Sequence, residues 1–207
     1  MNRNKRKGLH LKYNIYALGL MAALISFLGF VVENVWLAVT KGYINNRNMN
    51  APFLLGYGTL VIAMYLLLGT PDRMTVSPAM KKTAGRNRKY AMYFLCALLV
   101  VCVGEIVLGS VVEALCGIEY WNYSKIPFHI TKYTSIPTSA AFASMITLFM
   151  GKCFEPIMEL IIRIDYKVLK VVSTVLVVIM LADFIASFSI MLRQKNFYLK
   201  WKLVLRK

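Results

Sequence analysis

Long runs of apolar residues make up most of this chain, and short stretches rich in Lys, Arg and Asn separate them. Within the runs, apolar positions follow one another without the strict alternation of a membrane β-strand. A helix needs about 20 such residues to cross roughly 30 Å of hydrocarbon. We therefore predict an all-α fold, a polytopic membrane helical bundle of about five transmembrane helices in a single transmembrane domain, 13–192. The predicted spans are residues 13–39, 53–69, 90–116, 137–157 and 168–192.

The composition supports a membrane protein. Hydrophobic residues make up 58% of the chain and charged residues 16%, whereas soluble domains have about 45–50% and about 25%. The four cysteines lie inside or at the edges of apolar runs, without C-x-x-C spacing or a histidine close in sequence. They are typical of buried apolar thiols, so we predict neither a disulfide nor a metal site, and no cofactor.

The net charge of +16 comes from 25 Lys and Arg against 9 Asp and Glu. Most of these bases flank an apolar run, where they can contact anionic lipid headgroups, and no motif indicates a nucleic-acid partner. The arm 1–12 and the next three connections hold five, two, six and two Lys or Arg. By the positive-inside rule, this alternation predicts a multi-pass plasma-membrane protein with a cytoplasmic N-terminus.

Residues 193–207 form a basic, aromatic tail that is typical of a membrane interface. Five spans place this tail outside the cell, although its six Lys and Arg favour the inside. The segment 137–157 is the weakest predicted span, because its uninterrupted apolar run ends at Met150. If that segment were re-entrant, four spans would leave both termini inside. We favour five spans.

Four acidic residues lie within the predicted spans: Glu33, Glu105, Glu113 and Asp183. A charged group at the bilayer centre costs about 2.5–3.5 kcal/mol on insertion scales, so each acid needs a partner, a proton or water. Glu105 lies about 12 Å deeper than Glu113 at 1.5 Å per helical residue, and is the stronger functional candidate. Ser187 follows Asp183 by one helical turn, which predicts a pair that packs helices together.

Polar residues collect after the first and third spans, on the predicted outer side. Arg47, His129 and Lys132 are candidate partners for Glu33 and Glu113. For Trp121 and Tyr123, a place in the interfacial aromatic belt is the alternative interpretation. The candidate ligand-binding residues are Glu33, Asn46, Arg47, Tyr57, Glu105, Glu113, Trp121, Asn122, Tyr123 and His129.

The sequence GFVVE at residues 29–33 returns as GSVVE at residues 109–113. In both cases Y-x-N and then P-F follow, although the spacings differ. This order predicts a tandem repeat of a helical hairpin, with spans 1–2 and 3–4 as the two copies. The matching residue types are common, so coincidence is the alternative.

Taken together, these motifs resemble the bacterial membrane family described as putative ABC-transporter type IV. The W-N-Y-S run at residues 121–124 is the most specific part of the resemblance, and the likeness extends over nearly the whole chain after the basic arm. The family usually has Asp at the position of Asn122 and Asn at that of His129, so this chain resembles a divergent member. The matching positions are Gly29, Glu33, Asn46, Arg47, Pro52, Tyr57, Gly58, Glu105, Glu113, Trp121, Asn122, Tyr123, Ser124, Pro127, Phe128, Pro156, Asp183 and Ser187.

The resemblance implies a permease that works with a separate ATPase subunit or another membrane protein. Our leading hypothesis is a permease-like component whose outer polar vestibule binds a small polar or cationic solute. The alternative is a non-transporting scaffold or regulatory partner, which would assemble through small-residue faces such as Ser139 and Ala143. A membrane-embedded enzyme acting on lipid-linked substrates is a third class, but no nucleophile, metal set or P-loop supports it, and we predict no enzymatic activity.

Overall fold

The computed structural model of the protein describes residues 12–74 and 85–205. Most of the predicted basic arm, the ten residues 75–84, which include Lys81 and Lys82, and the last two residues lie outside these ranges. The described part contains six α-helices and four short strands. Helices predominate because the apolar runs satisfy their own backbone hydrogen bonds only in this form within a membrane.

Helix α1, Ile15–Lys41, begins where the side chain of Asn14 accepts a hydrogen bond from the backbone N–H of Ala17. It ends at Gly42, whose left-handed φ of 72° suits a glycine at a helix C-terminus. Strand β1, Tyr43–Asn45, follows directly.

Helix α2, Leu55–Leu68, has only 14 residues and is about 21 Å long, shorter than the hydrocarbon core of a bilayer. The reason is that the connection before it folds back along α1. The backbone N–H of Leu54 donates to the carbonyl of Ser26 at 3.0 Å, midway along α1. At Gly58, an added Cβ would lie 2.2 Å from the carbonyl oxygen of Ala22, so the two helices touch backbone to backbone.

A 3₁₀ turn, Pro71–Arg73, precedes the undescribed residues, and helix α3, Arg86–Cys116, follows them. The next connection contains an antiparallel pair of short strands, β2, His129–Thr131, and β3, Thr134–Ser135. Ser135 then caps the next helix by accepting from the backbone N–H of Thr138.

The fourth apolar segment is a continuous helical rod, Ile136–Ile161, rather than a short or re-entrant element. It consists of α4, Ile136–Leu148, a π-helical segment, Phe149–Cys153, and α5, Phe154–Ile161. Its mean hydropathy of 1.2 is the lowest of the four candidate spans in the described ranges, as expected for the weakest span. The shortest apolar helix is α2.

Helix α6, Tyr166–Gln194, leads to strand β4, Lys202–Val204, which pairs antiparallel with β1. Tyr43 is opposite Val204 in this pairing. The tail therefore lies at the end of the bundle where α1 ends, which we call the loop end. The end where α1 begins is the opposite end, so the two termini of the described chain lie at different ends, as an odd number of helical passes requires.

The structure confirms an all-α helical membrane bundle. Helix α1 packs against α2 and α6, and α3 packs against α4. Four helical segments are long and apolar enough to cross a membrane: Ile15–Lys41, Arg86–Cys116, Ile136–Ile161 and Tyr166–Gln194. Large apolar side chains remain exposed along these helices, as they do on a surface that faces lipid.

Candidate functional site

The first GxVVE sequence builds a compact polar cluster at the loop end. Glu33 accepts a hydrogen bond from the guanidinium of Arg47 at 2.5 Å and from the hydroxyl of Tyr57 at 2.7 Å. The ring of Tyr57 lies against Gly29, one turn before Glu33, where an added Cβ would be 2.5 Å from it. The glycine therefore makes room for the aromatic ring that reaches the glutamate.

The second GxVVE sequence makes the same set of contacts. Glu113 accepts from the ammonium of Lys132 at 2.6 Å and from the hydroxyl of Tyr133 at 2.5 Å. The ring of Tyr133 lies against Gly109, where an added Cβ would be 2.4 Å from it. We call each set of glycine, tyrosine, glutamate and base a Gly–Tyr–Glu unit.

The two units correspond in contacts rather than in sequence spacing. Tyr57 lies in the first turn of α2, whereas Tyr133 lies in the connection before β3. The tyrosines that the sequence pattern aligned, Tyr43 and Tyr120, have other roles. Lys202 lies over the ring of Tyr43, and the ring of Tyr120 packs against Phe197. The predicted Arg47 and Lys132 pairings are present, so both GxVVE glutamates are already bound to a base.

Glu105 differs from both. Its Oε2 accepts from the hydroxyls of Thr134 and Ser139, each at 2.7 Å, and those two hydroxyls lie 2.8 Å apart. Among the described residues, its Oε1 accepts no hydrogen bond and no base lies within 4.0 Å. The corresponding position of the first unit, eight residues before Glu33, is the buried Ile25. An acid at this position therefore occurs on α3 but not on α1.

Tyr123 lies within electrostatic range of two of the carboxylates, Glu105 and Glu33. Its backbone N–H donates to the carbonyl of Lys132 at 2.7 Å, which fixes the loop that carries it. Burial, with the negative charges of Glu105 and Glu33, raises the pKa of the Tyr123 phenol to about 12. Tyr123 therefore lies near both carboxylates, inside the polar cluster, and stays protonated at neutral pH.

Arg47 has unused hydrogen-bonding capacity. Its Nε is buried and has no acceptor in the described part of the chain, although the terminal nitrogen binds Glu33. Its backbone also adopts a positive φ of 48°, which is uncommon for a residue other than glycine. A buried donor without an acceptor is costly, so an oxygen atom supplied here would be bound favourably.

Two of the predicted residues, Asn46 and Trp121, support the loops. Asn46 is buried, and its amide donates to the carbonyls of Met49 at 2.9 Å and Tyr198 at 3.0 Å. Trp121 donates through its indole N–H to the carbonyl of Tyr133 at 2.8 Å. Both residues therefore hold backbone in place rather than line the space beside Glu105.

Neither Asn122 nor His129 contacts Glu33, Glu105 or Glu113. Asn122 is exposed and donates to Glu119 at 2.6 Å. His129 is also exposed, with Nδ1 at 3.1 Å from the carbonyl of Ile126, so it does not pair with Glu33 or Glu113.

Asp183 anchors the connection that folds into the bundle. Its two carboxylate oxygens accept from the backbone N–H groups of Asn50 and Ala51, both at 2.9 Å, and Ser187 donates to it at 3.1 Å. Irregular backbone within a membrane needs such partners, because lipid offers none. The predicted Asp183 and Ser187 pair therefore does join elements, but it binds a loop rather than a neighbouring helix.

Sequence reasoning missed Tyr133, Thr134 and Ser139, the side chains that bind Glu113 and Glu105. Tyr133 is only 3% exposed although it follows a polar loop. The available signal was the glycine one turn before each GxVVE glutamate, since such a glycine permits close approach of another group. No group of three or more His, Cys, Asp or Glu side chains that could hold a metal occurs in residues 12–74 and 85–205.

The family model described as putative ABC-transporter type IV matches residues 20–188 of this chain. The matched range contains both Gly–Tyr–Glu units, Glu105 and Asp183, and it ends before the tail. No curated protein and no solved structure matches the chain.

Proposed function

The chain belongs to the putative ABC-transporter type IV family, and from this membership we propose that it is a permease-like membrane component that binds a small polar cation at Glu105. Glu33, Arg47, Tyr57 and Tyr123 would form the vestibule through which the solute reaches this carboxylate from the loop end. A separate ATPase subunit would supply the energy, since the chain has no P-loop sequence.

The free carboxylate oxygen of Glu105 is the observation that carries this proposal. Glu33 and Glu113 each hold a base within 2.6 Å, whereas Glu105 has only hydroxyl partners, all on Oε2. A carboxylate at membrane depth costs about 2.5–3.5 kcal/mol when charged. Hydroxyl donors reduce this cost but leave the charge in place. A bound cation would neutralise it.

The unused Nε of Arg47 supports a solute that also carries an oxygen acceptor. Tyr123 lies within electrostatic range of both Glu33 and Glu105, and Glu33 binds Arg47, which supports one polar region that includes Arg47 and Glu105. An ammonium group toward Glu105 and a hydroxyl or carbonyl oxygen toward Arg47 would use both free groups. Choline and ethanolammonium have this chemistry.

One small-residue face expected to serve the scaffold alternative is buried inside the bundle. Ser139 and Ala143 are buried within the chain, and Ser139 donates to Glu105. This small-residue pair therefore serves the bundle itself and is not available to another protein.

Ligand-dependent thermal unfolding tests the proposal. The purified full-length chain would be titrated with choline, ethanolammonium or potassium chloride, with sodium chloride keeping the ionic strength constant. A ligand that binds only the folded state adds about 2.7 kcal/mol at 100 times its Kd and raises Tm. We expect at least one of these cations to raise Tm in the wild type and not in Glu105→Gln.

The matched control is Glu119→Gln, which removes an exposed acid of the same loop end. It should keep the cation-dependent rise in Tm. Equal responses of the wild type and Glu105→Gln, or no response to any of the three cations, would contradict a cation site at Glu105.

A further inference from the structure

A groove of about 480 Å³ lies at the opposite end of the bundle, between the start of α3 and the π-helical segment. It is far from the polar cluster, since α3 runs from this groove to the loop end. We call it the basic groove. Its lining residues are Arg86, Asn87, Tyr90, Leu148 and Lys152.

The basic groove has an uncompensated positive charge. Neither Arg86 nor Lys152 has a carboxylate within 4.0 Å in the described part of the chain. The negative charge of Asp72 interacts electrostatically with Arg86, but the two side chains form no ion pair. The nearby Glu155 is already bound to Lys12. Two bases facing one groove without an acid favour an anionic ligand.

Tyr90 fixes the position of one of these bases. The guanidinium of Arg86 lies over the Tyr90 ring, 5.6 Å from its centroid. The Tyr90 hydroxyl donates to the carbonyl of Gly151 at 3.0 Å, and an added Cβ at Gly151 would lie 2.5 Å from the Tyr90 ring. The π-helical segment therefore carries the glycine that admits Tyr90, and π-helical segments often occur at functional sites.

One wall of the groove is apolar and faces outward. Leu148 is 58% exposed, and Met145, three residues earlier on the same face of α4, is 51% exposed. In a bilayer, such side chains contact acyl chains. The basic groove thus combines two cations at a helix end with an apolar surface that continues toward the membrane interior, as basic sites for lipid headgroups do.

We propose that the basic groove binds one anionic phospholipid, with Arg86 and Lys152 contacting the headgroup phosphate and the acyl chain lying on Leu148 and Met145. Asn87 would donate to a phosphate oxygen. This site is independent of the solute site at Glu105.

Native mass spectrometry of the full-length chain tests this proposal. The detergent-purified protein would be titrated with dioctanoyl phosphatidylglycerol and, separately, with dioctanoyl phosphatidylcholine. We expect a one-to-one complex that prefers phosphatidylglycerol. Arg86→Gln with Lys152→Gln should weaken phosphatidylglycerol binding about thirtyfold, as expected for two basic groups at a membrane surface.

Two controls separate a defined site from general surface charge. Arg163→Gln with Lys167→Gln removes the same charge from exposed positions at the same end and should leave the affinity unchanged. Arg86→Lys with Lys152→Arg keeps the charge and should retain the complex. If the Arg163 and Lys167 variant lost binding equally, or if the wild type bound both lipids alike, the site would be refuted. If millimolar inorganic phosphate displaced the lipid, a soluble phosphate would be the ligand instead.

Discussion

Tyr133 covers Gly109 with its ring and donates its hydroxyl hydrogen to Glu113, one helical turn further along α3. Tyr57 makes the same two contacts with Gly29 and Glu33 on α1. Each tyrosine thereby joins a loop or the start of the next helix to the helix before it. The ring beside the glycine carries the hydroxyl that binds the glutamate, so displacing the ring should also disturb the hydrogen bond.

Gly109→Ala and Gly29→Ala should each destabilise the protein by about 1–3 kcal/mol, the usual cost of overpacking. The added methyl group would lie 2.4 Å from the Tyr133 ring or 2.5 Å from the Tyr57 ring and force it away. Gly104→Ala is the matched control, since nothing lies within 4 Å of its added Cβ. Thermal unfolding in one detergent should show lower Tm for the first two variants and an unchanged or higher Tm for the control.

Tyr133→Phe should remove the hydrogen bond to Glu113 while keeping the ring. Loss of this bond should lower the Tm, by less than a fully buried charged hydrogen bond would, because the Glu113 side chain is 39% exposed. Tyr43→Phe serves as control, because its hydroxyl forms no hydrogen bond within residues 12–74 and 85–205. Equal Tm values for the two variants would show that the Tyr133 hydroxyl contributes nothing.

Asp183→Asn should destabilise the loop that precedes α2. An amide has one acceptor oxygen, so it cannot accept from the backbone N–H groups of both Asn50 and Ala51 through separate oxygens, as Asp183 does. The NH₂ group of the amide would then face a donor. Hydrogen–deuterium exchange should become faster at residues 50–54, whereas Asp72→Asn, an exposed acid at the opposite end, should leave these amides protected.

The ion pairs of Lys132 should give a stability contribution that is flat near neutral pH. Hydrogen bonds to Lys132 and then Asn122 hold the pKa of Glu119 below its usual value of about 4.3, so this contribution is present above that pH and is lost as the pH falls further. Hydrogen bonds to Glu113 and Glu119 raise the pKa of Lys132, so its contribution is present below about 10.4 and is lost as the pH rises through the raised value.

Comparing the wild type with Lys132→Met across pH checks both signs. The difference in Tm should be constant between about pH 5 and pH 9 and should shrink on either side. A difference that grew toward acid pH would contradict the assignment. Because Lys132 and Glu119 are substantially exposed, high salt should reduce the difference.

The helices could be predicted from the apolar runs, and the loop geometry could not. The connection before α2 is held by Asp183, which accepts from Asn50 and Ala51 and is more than a hundred residues away in sequence. Nothing in the run 53–69 indicates this. In the fourth segment, Lys152 and Pro156 suggested that a span ends. The π-helical segment directly before α5 accommodates Pro156, which has no N–H for the carbonyl of Lys152.

The acids of the candidate site could be located from the sequence, but which of them are bound to a base could not be predicted. Sequence depth singled out Glu105, and the bases near Glu33 and Glu113 were correctly suggested. The sequence could not show that Glu105, unlike Glu33 and Glu113, lacks a base, because this depends on where the third connection folds. Thr134, which binds Glu105, directly follows Tyr133, whose ring lies against Gly109, and close packing of this kind leaves no periodic pattern.

The pairing of β1 with β4 also has a consequence for how the protein is assembled during synthesis. Strand β1 leaves the ribosome early, but its partner is among the last residues described, so β1 has an unpaired edge while all six helices are being made. The same holds for Asn46, whose partners Tyr198 and Lys200 belong to that late segment. In a ribosome-bound chain, the six described helices are therefore synthesised before the loop beside Arg47 acquires its final shape.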